Sequence, residues 1–147
     1  MTTNKNKNNM KKLCVGVESV EQLWAIQEHR FNTLGYCCAY TTMRPQAEAR
    51  LIEKGSLYWI IKGQIKARQK IIGFESYRDE TDRKRTIILL DNHVIKTEPH
   101  AHRPFQGWRY LADNEIPDDI DTQKYKDLSD TDLSELKDLG LLQNLLR

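Results

Sequence analysis

The sequence predicts an α+β fold, in which helices pack on one side of a curled antiparallel sheet and a further amphipathic helix closes the C-terminal end. Three observations carry this. The first half holds two segments with helical apolar spacing, each ended by a glycine. From Leu57 the apolar period changes from helical to alternating and stays so to Arg68, and further extended runs follow as far as Leu90. Near the end, Leu133, Leu136, Leu139, Leu142 and Leu146 return to helical spacing.

The elements follow in order. Lys12 to Val17 reads as a short buried strand. Ser19 is a good N-cap, and Gln22 completes a capping-box pattern, so a helix is expected to begin there. Val20, Leu23, Trp24, Phe31 and Leu34 fall largely on one of its faces, and Gly35 marks its end. A shorter helix is expected after Pro45, with Ala47, Leu51 and Ile52 as its apolar side and Gly55 as its stop. Leu57 to Arg68 then reads as one long extended segment. Period two places Tyr58, Ile60, Lys62, Gln64, Lys66 and Arg68 on one face, with a bend at Gly63.

A further strand is expected over Lys70 to Tyr77, then a hydrophilic hairpin loop from Asp79 to Lys84. Arg85 to Leu90 returns as the partner, and its doubly apolar run suits a central position. Val94-Ile95 reads as a short extension, and Pro99 and Pro104 bracket a loop. Gly63 and Gly73 would allow the sheet to bend into a half-open barrel, although the sequence does not establish closure. The chain divides into a disordered tail (1–10), a single domain (11–112), an acidic linker (113–131) and a terminal amphipathic helix (132–147).

Three stretches are familiar together: Lys12-Leu13-Cys14-Val15-Gly16-Val17, Gly55-Ser56-Leu57-Tyr58-Trp59-Ile60-Ile61-Lys62-Gly63, and Arg103-Pro104-Phe105-Gln106-Gly107-Trp108-Arg109-Tyr110-Leu111. They resemble a family of small alphaproteobacterial proteins catalogued as domain of unknown function 1489, over about Lys12 to Leu111. The resemblance implies a bacterial cytosolic protein. It brings no activity, ligand or catalytic residue, so function must be read from the side chains.

Composition narrows the classes. Apolar residues make up 39% and charged residues 30%, and no apolar run approaches the length of a membrane span. Cys14, Cys37 and Cys38 are an odd set with two neighbours, which argues against a disulfide framework and for a cytoplasmic setting. The net charge of +2 conceals a split. Residues 1–110 hold 19 Lys/Arg against 11 Asp/Glu, whereas residues 111–147 hold 4 against 10. A basic body with an acidic end can bind polyanions or mask its own surface.

Two constellations carry a functional expectation. The first is the basic strand face and its continuation: Tyr58, Lys62, Lys66, Arg68 and Gln69, with Lys70 next to them. Cations summed on one face beside an aromatic ring can hold phosphates and stack a base; the plainer reading is a solvated sheet face. The second is the loop with Arg103, Gln106, Trp108 and Arg109, whose forked donors suit phosphate or carboxylate. The plainer reading there is an aromatic plug.

The leading expectation is therefore a non-enzymatic RNA-binding module, with the acidic C-terminal region competing for the basic face. One alternative is an enzyme or sensor for a small phosphorylated or carboxylated ligand, with Lys62, Arg68, Arg103 and Arg109 converging on one pocket. The other is an adaptor that binds a protein partner through its leucine-rich helix.

No metal or cofactor is expected. His100 and His102 lack a third ligand at a suitable spacing. His29 and His93 are isolated, and no P-loop, GxGxxG or GxSxG is present.

Overall fold

The computed structural model describes residues 7–120. The leucine-rich helix expected over 132–147 and the rest of the acidic stretch from 121 lie outside the described residues.

The described chain forms β1 (Asn9–Leu13), α1 (Val20–Leu34), β2 (Cys37–Thr41), α2 (Glu48–Lys54), β3 (Ser56–Ile61), β4 (Gln64–Arg78), β5 (Lys84–Leu90), β6 (Ile95–Ala101) and β7 (Trp108–Leu111). The fold is α+β, with a seven-stranded sheet in the order β2-β5-β4-β3-β1-β7 and β6 beside β4. The sheet is mixed, because β1 runs parallel to β3 while the other pairs are antiparallel. It curls without closing among the described residues.

β4 causes the curl. Its first half lies between β3 and β6, and its second half pairs with β5. The ladder breaks register between Ile65 and Ala67 and again between Ile71 and Gly73. Each irregularity sharpens the local twist, so one strand serves two differently oriented parts of the sheet.

The concave side holds the main core. Met10, Leu23, Leu51, Leu57, Ile61, Ala67, Ile71 and Ile88 are each almost fully buried there. Each large aliphatic side chain so buried contributes about 1.5–3 kcal/mol. A smaller apolar cluster on the outer face contains Tyr58, Ile60, Ile65 and Leu111, with Leu13 and Phe105 packed against it.

The helix ends follow the sequence. Ser19 Oγ accepts from the Gln22 N–H at 3.2 Å, and Gln22 Oε1 reaches back to the Glu18 N–H at 2.7 Å. Gly35 adopts φ 86°, the left-handed conformation that suits glycine at a helix end. Phe31 and Leu34, expected on the buried face of α1, remain 43% exposed. The buried line runs through Val20, Leu23 and Gln27 instead.

Gln27 has a specific task. Its amide accepts from the Cys38 N–H at 3.1 Å and donates to the Cys38 carbonyl at 3.0 Å, so it satisfies the free edge of β2 much as another strand would. Gly55 ends α2 for a different reason from Gly35. A Cβ there would collide with the Asn8 carbonyl and lie 2.7 Å from the Leu51 carbonyl, so only glycine lets α2 end against β1.

Several sequence expectations require correction. The extended segment Leu57 to Arg68 is two strands rather than one, because Lys62 (φ 52°) and Gly63 (φ 76°) form a two-residue turn between β3 and β4. Two successive positive φ values are the signature of the tight hairpin turn that matches strand twist. The strand expected over Lys70 to Tyr77 is the second half of β4. β1 begins at Asn9, ahead of Lys12, and Cys37–Thr41 is a strand that the sequence reading left unassigned. The stretch read as a loop after Pro99 is strand as far as Ala101. Pro99 is tolerated because it lies in the irregular part of the β4–β6 ladder, between the paired Lys96 and His100.

Candidate functional site

The turn and the first bulge redistribute the basic face. Tyr58 stands opposite Arg68 on the outer face, while Gln69 stands opposite Leu57 on the core side. Gln69 is fully buried, accepts from Trp59 Nε1–H at 2.9 Å and donates to the Asp91 carbonyl at 3.0 Å. It is a core hydrogen-bonding residue. Lys62 sits on the turn, exposed and 3.8 Å from Glu18. Lys66 is half-buried at the bulge near Lys96; burial first, then the Lys66 charge, holds the Lys96 ammonium below its ordinary range. Lys70 donates to the Ile52 carbonyl of α2 at 2.6 Å.

Arg68 is engaged twice. Its guanidinium forms a forked pair with Asp119, both bonds at 2.7 Å, and donates to Ser56 Oγ at 3.0 Å. The hydrogen bonds to Asp119 raise its pKa further above the arginine norm. Asp119 arrives because residues after β7 cross the outer face. Asp113 accepts from the side chains of Asn8 and Asn9, and Glu98 N–H donates to the Asp118 carbonyl. Tyr58, 4% exposed, lies beneath this crossing in a cleft shared with Ser56, Arg68 and Asp119. Burial raises the Tyr58 pKa.

The expected Arg/aromatic loop sits differently. Loop 102–107 leaves β6 and turns onto the outer face, where Phe105 joins the smaller cluster. The register of β1 against β7 places Lys11 directly opposite Arg109. Arg109 lies over the Phe105 ring at 4.9 Å, and Lys11 approaches the same ring at 5.9 Å. Two like charges opposite one another on neighbouring strands repel, and the ring offsets part of that cost through cation–π attraction.

Lys11 Nζ donates to His102 Nε2 at 2.8 Å. Because an ammonium has no acceptor, His102 is assigned as the neutral tautomer whose Nδ1–H donates to the Arg103 carbonyl at 2.8 Å. Arg103, Gln106 and Arg109 are exposed. Among the described residues, Lys11, Arg103 and Arg109 enter no ion pair.

Trp108 faces inward, between this loop and β2. Its Nε1–H donates to the Met43 carbonyl at 2.8 Å, and its ring meets Tyr110 edge-on at 4.9 Å. It therefore fastens β7 to the segment after β2.

Residues 10–142 match the model of a family described as a protein of unknown function, DUF1489. The chain belongs to that family. No curated protein and no solved structure matches it. The family match is wider than the Lys12 to Leu111 span of the familiar motifs. It takes in Lys11 and the Asp119 crossing, so both halves of the outer face lie inside the family domain.

Lys11 carries no site signal in the sequence, and His102 signals there only an incomplete metal pair with His100. Lys11 stood ahead of the expected strand, and only the β1–β7 register brings it to Arg109. Of the four cations expected to converge on a small ligand, Lys62 lies at the β3–β4 turn, Arg68 is latched by Asp119, and Arg109 stacks on Phe105.

Proposed function

We propose that this protein is a non-enzymatic binder of single-stranded nucleic acid, with RNA as its natural ligand, and that Lys11, Arg103, Phe105, Gln106 and Arg109 form the contact surface. The observation that carries this reading is the Lys11–Arg109 pair, two cations held opposite each other over one aromatic ring with no carboxylate partner among the described residues. A phosphate between them would remove their repulsion and accept charge-assisted hydrogen bonds. The half-buried Phe105 ring and the exposed Gln106 offer a base an aromatic contact and a polar one. The buried cysteines Cys14, Cys37 and Cys38, none of them in a disulfide, support a reducing, cytosolic setting. No helix among the described residues is long and apolar enough to cross a membrane.

The test is titration of the full chain with a fluorescent single-stranded RNA at two salt concentrations. Binding should weaken with salt, and the salt slope should fall by roughly 0.7 for each phosphate contact removed. Absence of binding at low salt would end this reading.

A further inference from the structure

Lys12, next to Lys11, points the opposite way. It shares the concave face with Met10, and its neighbours across the ladders are Trp59 on β3 and Trp108 on β7. An inward lysine between two indoles is costly unless something compensates its charge. No carboxylate does so among the described residues. A second cation faces the same space. Arg30, from α1, donates one N–H to the Cys38 carbonyl at 2.6 Å and lies over the Tyr40 ring at 5.2 Å. Its remaining donors have no protein acceptor among the described residues.

Between them lies a cleft of about 160 Å³ whose lining includes Lys12, Cys14, Arg30, Tyr40 and Trp59. With about 30 Å³ as one water's share of liquid volume, that is the room of a few waters or one compact anionic group.

We propose that Lys12 and Arg30 bind a small oxyanion, the phosphate or carboxylate group of a ligand, in this cleft between the end of β1, α1 and β2. The site lies on the opposite side of β1 from the Lys11–Arg109 surface and is independent of it. An oxyanion supplies the missing counter-charge, accepts from the ammonium and from the free edge of the guanidinium, and separates two cations that otherwise repel. Burial foremost, with the Arg30 charge opposing protonation as well, depresses the Lys12 pKa. Cys14 cannot serve as the counter-ion, because burial pushes its thiol up to about 11. The indole of Trp59 and the ring of Tyr40 wall the cleft, so the rest of a ligand would leave through its open side.

The experiment follows thermal unfolding of the full chain with increasing inorganic phosphate or acetate, against chloride at matched ionic strength. Phosphate, acetate or both should raise the unfolding temperature beyond chloride, and the stronger of the two identifies the anion class. Lys12→Met, which fits an apolar slot between indoles, should weaken the response about tenfold or more, whereas Lys62→Met should leave it unchanged. An equal response in Lys12→Met and the wild type, or none beyond chloride, overturns the proposal. If Lys12→Met does not fold, acetylation of the wild type followed by mass spectrometry decides. The favoured anion should protect Lys12 and leave Lys66 unprotected; absence of that protection overturns the site.

Discussion

The outer face of the sheet holds two aromatic–cation arrangements that look alike in sequence and differ in structure. In one, Tyr58 stands opposite Arg68, and the crossing after β7 covers both while Asp119 takes the guanidinium in a fork. In the other, Lys11 stands opposite Arg109 over Phe105, and no carboxylate approaches either cation among the described residues. The lesson is that a cation's availability is set by what the chain lays over it, and that the covering segment can come from far along the sequence. Asp119 is separated from Arg68 by 51 positions.

The comparison can be broken most directly by charge removal. Lys11→Ala/Arg109→Ala should weaken single-stranded RNA binding about 100-fold at low salt, since two charge-assisted contacts are lost. Lys66→Ala/Arg68→Ala should change it less than about threefold, because Arg68 already has its partner. Equal losses in the two double variants would erase the distinction between the halves.

Gln69→Ala separates both halves from the core beneath them. It strands the Trp59 indole N–H and the Asp91 carbonyl, so a loss of about 2 kcal/mol in chemical denaturation is expected, with RNA affinity preserved wherever the chain is folded. A stable variant that lost RNA binding would return Gln69 to the contact surface.

The smallest expected effect sharpens the covered half. Asp119→Asn should cost about 0.5 kcal/mol of stability, because the pair is partly exposed and screened. It should also raise RNA affinity about twofold by freeing Arg68 for a phosphate. Unchanged affinity would mean that the crossing excludes RNA by its bulk rather than by its charge.

Much of the fold was legible because its signals are local. The Ser19–Gln22 capping box, Gly35, the Asp79–Lys84 loop and the apolar run of β5 each declare themselves within a few residues. What was missed depends on register. Alternation continues across Lys62–Gly63 as though the strand were unbroken, since both strands of the hairpin expose the same period. The turn puts Ile65 on the outer face, and the bulge at Lys66 returns Ala67 and Gln69 to the core side, where alternation counted from Leu57 also places Gln69.

The candidate site was half legible for the same reason. Arg103, Gln106 and Arg109 lie in one short stretch. Lys11 joins them only through pairing between strands at opposite ends of the chain, and single-sequence periodicity does not contain that information.

The amide of Gln27 has a consequence for self-association. By occupying the Cys38 N–H, and by sharing the Cys38 carbonyl with Arg30, it denies another molecule a place to add a strand along β2. Gln27→Leu would keep an apolar helix face and uncover the Cys38 N–H, while Arg30 still holds the carbonyl. The variant should then form oligomers and fibrils on concentration, visible by light scattering, whereas the wild type should remain dispersed.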